Sequence, residues 1–165
     1  MTGHERSGWR DEDLSRRHRC WGPDVPAQDI DALVAAVGEQ LNIFGHIWLE
    51  YDRHEPVALG EWKAGTAPRD QHQDRALIAL ADRANLPALL FRYWKAPVWT
   101  QLWHFWVMPL NRLGVQWVST GGLEMGEADV VWLLYKMRDR TPPDQVVRWL
   151  DGLIDPDDPD AGRPF

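Results

Sequence analysis

A chain of 165 residues makes one domain with room for a real core. No apolar run approaches the roughly 20 residues that cross a bilayer, which excludes a membrane-spanning helix. The polar start, Met1-Thr2-Gly3-His4-Glu5-Arg6, is followed by no apolar segment and does not read as a signal peptide. The net charge of −7 argues by itself against a nucleic-acid partner. The single cysteine, Cys20, excludes an internal disulfide and fits a reducing, cytoplasmic setting.

In chain order, residues 1–23 carry five Arg against four acids, with Arg16, Arg17 and Arg19 clustered. They show no period and are expected to be a flexible arm. Their arginine cluster is the best candidate in the sequence for a phosphate contact. A single folded domain is expected over 24–153. A helix is predicted from about Asp24, with Pro26 in its first turn and Ile30, Leu33, Val34, Val37 and Leu41 as its apolar stripe. Two strands follow over 46–52 and 57–63, joined by the polar turn 53–56. A loop over 64–69 leads to a helix over 70–85, with Ala76, Leu77, Leu80 and Ala81 inward. Residues 88–94 form a strand. A helix between strands is the crossover that builds a mixed or parallel sheet. Further strands are predicted over 100–108 and 115–119, and a turn at Thr120-Gly121-Gly122. The next helix spans 124–138 with Val130, Val131, Leu133, Leu134 and Met137 inward. The last helix is capped by Thr141, with Pro142 in its first position and a stripe of Val146, Val147, Leu150 and Leu153. Residues 154–165, dominated by Asp and Pro, are expected to be an acidic tail. The expected fold class is α/β, a mixed central sheet flanked by helices.

The chemistry concentrates in the hairpin. Strand side chains alternate, so Glu50 and Asp52 share one face of the first strand, and Glu61 and Lys63 one face of the second. If those faces coincide, carboxylates and an ammonium meet near the middle of the fold, an expensive arrangement for packing alone. Asp52 and Glu61 would then hold one hard divalent ion, magnesium above all, with waters completing its shell. Such an ion polarises a phosphodiester and lowers the pKa of an attacking water. Lys63 would position that water or stabilise the charged phosphate. Glu50 is either a second ligand or the partner of an arginine. The plainer reading is that an acid-x-base triplet at a strand end is common and structural.

Four features stand in a fixed order over residues 26–94. Glu39 is an acid on the first helix, Asp52 lies on the next strand, Glu61-Trp62-Lys63 lies on the strand after it, and Gln71 or Gln73 opens the following helix. This stretch resembles the core of the PD-(D/E)xK, restriction-endonuclease-like nuclease superfamily, near its small Holliday-junction-resolvase-like and virus-type replication-repair members. Tyr51 stands where that pattern has a proline. The resemblance implies a restriction-endonuclease-like core and magnesium or manganese held by Asp52, Glu61 and Glu39. It implies hydrolysis of the DNA backbone, with Lys63 and Gln71 or Gln73 completing the set. It also implies the alternative, a catalytically inactive relative that acts as a binding or assembly protein, as in a phage. Family members of this size are often homodimers, and the aromatic stretches 98–107 and 113–118 are where a two-fold contact is expected.

The histidines show no ligand spacing, so a structural zinc site is not expected. His72 lies near the expected site and could touch a phosphate. Six of the eleven tryptophans, Trp94, Trp99, Trp103, Trp106, Trp117 and Trp132, could offer stacking platforms for bases, but core and strand packing is the preferred reading.

Overall fold

The structure, a computed structural model, describes residues 11–22, 24–29 and 46–153. Its strands are β1 (Ala27–Asp29), β2 (His46–Asp52), β3 (Glu55–Ala64), β4 (Ala88–Trp94), β5 (His104–Pro109) and β6 (Leu123–Gly126). They form one six-stranded sheet in chain order. Helices α1 (Glu12–Cys20), α2 (Gln71–Ala84), α3 (Glu127–Lys136) and α4 (Asp144–Asp151) accompany it. Every neighbouring pair is antiparallel except β3 and β4, which α2 joins as a parallel pair. This is the α/β fold with a mixed sheet that the strand–helix–strand pattern predicts.

Local chemistry explains the elements that position the site. Asp70 caps α2 by accepting from the backbone N–H groups of His72 (2.8 Å) and Gln73 (3.3 Å). Asn85 ends it in the left-handed region, at φ 57°. Leu77 and Ala81, one helical turn apart, bury against Ile47, Leu59 and Ala88 on one face of the sheet. The other face carries the larger core, where Trp62 stacks on Phe91 at 4.0 Å. Leu14 of α1, Val130, Val131 and Leu134 of α3, and Val146 and Leu150 of α4 pack into that core.

Several sequence expectations are corrected. Residues 12–20 are a helix packed on the core, not part of a flexible arm, because Asp11 caps it and Leu14, Arg17 and His18 are buried. Residues 27–29 pair with β2 as a strand where the first turn of a helix is predicted. The rest of that expected helix, Glu39 included, lies outside the described residues, as does the expected tail from 154. The hairpin turn is two residues, Arg53 and His54, because Glu55 and Pro56 already pair across it. β5 begins at His104, not 100, because the carbonyls of Trp99 and Gln101 and the N–H of Trp103 bond to the side chains of Arg17 and Glu127 instead of to a strand. Residues 114–116 form a 3-10 turn in place of a strand. Asn111 Oδ1 accepts from the N–H groups of Ala88 and Gly114, both at 2.9 Å, and bends the chain there. Residues 123–126, read as the start of a helix, pair with β5 as a strand. α4 starts at Asp144 behind Pro143, with no side-chain cap from Thr141. No helix among the described residues is long and apolar enough to cross a membrane.

Candidate active site

Strand register decides which hairpin residues meet. Ile47 pairs with Glu61 and Leu49 with Leu59, so Ile47 and Leu49 share a face with Glu61 and Lys63. Trp48 and Glu50 lie on the opposite face with Trp62. This register brings the Trp48 and Trp62 rings to 5.3 Å in the main core, and a slip of β2 by one residue would turn Trp48 away from it. Glu50 therefore faces away from Glu61, while the register shift after Glu50 sets Asp52 opposite Glu55, on the Glu61 side but at the far end of the hairpin.

Asp52 sits at the hairpin end, opposite Glu55 and five residues from Ile47, which is about 16 Å along the strand. Its Oδ1 lies 2.7 Å from Arg140 Nη2, and Arg140 Nη1 lies 3.3 Å from Asp24. A cleft lined by Lys136, Asp139, Arg140 and Thr141 opens at this end, but Arg140 already bridges its two neighbouring acids. Glu50 is the partner of an arginine: its Oε2 accepts from Arg138 Nη2 at 2.7 Å, and its Oε1 lies 3.5 Å from His18 Nε2. Neither residue joins Glu61.

A different set gathers around Glu61. The Lys63 Nζ lies 2.8 Å from Glu61 Oε1, and both side chains are 0% exposed. The same ammonium donates to the carbonyl of Pro68 (3.3 Å) and to Gln73 Oε1 (3.4 Å). Of the two glutamines that open α2, Gln73 therefore enters the cluster, while Gln71 and His72 face solvent. Asp74, next along the helix, is also buried, and Arg69 pairs with its Oδ2. Arg69 is the solvent-facing member, with its side chain 42% exposed. Sequence reasoning missed Asp74 and Arg69. An acid in the first turn of a helix and a basic loop residue are both ordinary, and no spacing singles them out.

The electrostatics are unusual for a packed interior. Neither Glu61 oxygen accepts a well-directed hydrogen bond, and Asp74 Oδ1 and Gln73 Nε2 are also without partners. Burial pushes the Glu61 carboxyl up, the Lys63 ammonium opposes this, and the Asp74 charge adds to the rise, leaving the carboxyl at about 7. Among the described residues no three His, Cys, Asp or Glu side chains gather as a metal cage. A hard divalent ion needs fewer, because magnesium is commonly held by one or two carboxylates with waters. Glu61 and Asp74 are the buried carboxylates here that could hold one, and three of their oxygens accept no hydrogen bond.

The arginine cluster lies elsewhere. Arg17 is fully buried and grips Glu127 at 2.6 and 2.7 Å, so it is closed to a phosphate. Arg16 lies over the Trp99 ring at 5.1 Å, and Arg19 is exposed. All three belong to α1, across the sheet from Glu61. No family model matches the chain, and no curated protein or solved structure matches it.

Proposed function

We propose that the protein is a divalent-cation-dependent phosphodiesterase acting on DNA in the cytoplasm, of the PD-(D/E)xK kind. In this reading Glu61 and Asp74 hold the ion, and Asp52 does not. The observation that carries it is the buried carboxylate of Glu61, lacking directed hydrogen bonds beside Lys63, at the end of β3 where the parallel β3–β4 pair meets the start of α2. Open α/β sheets bind ligands at the carboxyl ends of parallel strands. A bound magnesium or manganese ion would polarise the phosphate and acidify a water. Lys63 stabilises the charge that develops on the phosphate, and Gln73 holds the Lys63 ammonium in place. Arg69 receives the phosphodiester at the solvent edge. A phosphate bound there competes with Asp74 for the guanidinium and frees that carboxylate for the cation.

One observation favours a second reading, a nuclease-fold protein that binds or assembles without catalysis. Ile47 stands opposite Glu61 on the same face, so the described part of β2 brings no acid to the cluster. Calorimetric titration of manganese and magnesium into the native chain and into Glu61→Gln and Asp74→Asn separates the two. Binding that either substitution abolishes, followed by metal-dependent cutting of linear, nicked or branched DNA, supports the enzyme. A folded native chain that neither binds millimolar metal nor cuts DNA leaves the silent reading.

A further inference from the structure

The cluster around Glu61 is sealed. Glu61, Lys63 and Gln73 are fully buried, and Asp74 is nearly so. The segment from Gly65 to Asp70, between β3 and α2, lies against it and is anchored at both ends. At the near end the Gly65 N–H donates to the Tyr93 carbonyl (2.8 Å), and the Arg92 guanidinium donates to the carbonyls of Gly65 (3.0 Å) and Ala67 (2.9 Å). The Trp94 indole lies so close to Gly65 that a Cβ there would collide with it. At the far end Asp70 caps α2. Pro68 and Arg69, between these anchors, are exposed and carry the contacts that reach the cluster.

Those contacts are weak. Lys63 Nζ donates to the Pro68 carbonyl at 3.3 Å, beyond the usual hydrogen-bond range. The Arg69 guanidinium pairs with Asp74 Oδ2 on α2, and its Nη1 lies 3.9 Å from Met108 Sδ on β5. Register puts Glu61, Leu90 and Met108 in one row across β3, β4 and β5, so the guanidinium reaches from Asp74 to the far end of the row that holds Glu61. An ion pair with a half-exposed partner stabilises little. Inside, both Glu61 oxygens, Asp74 Oδ1 and Gln73 Nε2 lack hydrogen-bond partners. Polar atoms sealed without partners cost free energy that water restores. Closure therefore gains little and opening hydrates these atoms, which sets a low-lying open state beside the closed one.

We propose that Pro68 and Arg69 form a gate, latched by the Arg69–Asp74 pair, that opens by local movement between the two anchors and admits solvent and ligand to Glu61, Lys63 and Asp74. The gate rests on the proposed phosphodiesterase for what passes through it, a phosphodiester with a divalent cation, and adds the regulation of that site. An anion that takes the guanidinium from Asp74 releases the latch. The cation then reaches two carboxylates that the closed chain withholds from it.

Acetylation by N-hydroxysuccinimide acetate, read at each site by peptide mass spectrometry, tests it. The chain has three lysines, of which Lys63 is sealed and Lys136 exposed. Relative to Lys136, Lys63 should label slowly in the native chain and about 2- to 5-fold faster in Arg69→Ala and in Asp74→Asn, the contribution of a half-exposed ion pair. Arg69→Lys should keep Lys63 slow, because it keeps a cation beside Asp74. The urea midpoint of Arg69→Ala should stay at the native value, since the movement is local. The proposal is overturned if Lys63 labels as slowly in both latch variants as in the native chain, or if native Lys63 already labels like Lys136. Faster labelling that appears only in step with a lowered urea midpoint overturns it too. Manganese titration into the native chain and Arg69→Ala keeps the two readings apart. Faster Lys63 labelling without manganese binding leaves the gate and removes the phosphodiesterase, and manganese binding to the native chain with unchanged labelling does the reverse.

Discussion

Glu61 combines burial, an ion pair and a nearby like charge, and each has a consequence in pH. Its carboxyl titrates at about 7 in the folded chain against 4.5 in an ordinary setting, so the folded state holds that proton more tightly than the unfolded one. This contribution to stability is therefore full below about pH 4.5 and is lost as pH rises towards 7, by about 3 kcal/mol. Glu61→Gln should flatten that slope, as measured by urea unfolding at pH 5 and pH 8. Asp11 works in the opposite direction. Burial raises its carboxyl, but hydrogen bonds from Lys95, Tyr93 and the Leu14 N–H outweigh burial and hold it below its ordinary value. Its contribution is present above the unfolded pKa and disappears as pH falls below it. At this scale Glu61 and Lys63 were readable from strand spacing, and a glutamine at the start of α2 from the pattern the stretch resembles. Asp74 was not, because only burial distinguishes it from any other first-turn acid.

Elements are docked here by polar side chains as much as by apolar stripes. Arg17 holds α1 to α3 through a bidentate pair with Glu127 and reaches the carbonyl of Gln101, while Glu127 also accepts from Trp21 Nε1 at 2.8 Å and Trp103 N–H at 2.9 Å. Removing one member leaves the other charged and buried, so Arg17→Leu should cost about 3–5 kcal/mol and expose α1 to limited proteolysis. Asn111 is a second such fastener. It accepts from Ala88 and Gly114 and donates to Asp82 and the Leu86 carbonyl, all at 2.9 Å, tying the end of α2 to the start of β4. Asn111→Ala should cost about 2–4 kcal/mol in urea unfolding, since four bonds go and buried groups stay unpaired. The hairpin, α2 and β4 were legible because caps, periodicity and apolar runs are local signals. α1 was not, because an arginine-rich segment carries no stripe and its anchor, Glu127, lies 110 residues away.

At the scale of the whole molecule, the proposed action on DNA has to work through a local field, because the chain as a whole is acidic. Among the described residues, Arg69 pairs with Asp74 and Arg92 lies beside Lys63 on the next strand, so two arginines border the cluster. Binding to DNA should therefore release few counterions, and a plot of log affinity against log salt should slope at about −1 to −2. A slope several times steeper would place the contact surface elsewhere, for example on the outer face of α1 with Arg16 and Arg19. The mixed sheet itself follows from the crossover: β3 and β4 can lie parallel only because α2 carries the chain back between them.

By itself the sequence determined the class of fold, the hairpin, the crossover helix and the strand after it, because alternation, capping and helical stripes act within a few residues. It also determined that a carboxylate and an ammonium two residues apart share a face of β3. The tertiary structure alone decided which residues surround them. The register that buries Trp48 and Trp62 together sent Glu50 to Arg138, and the register shift after Glu50 left Asp52 at the hairpin end with Arg140. The same packing brought Gln73, Asp74 and Arg69 to Glu61. Register is a property of the assembled sheet, set by which side chains the whole core accepts, and no local spacing carries it.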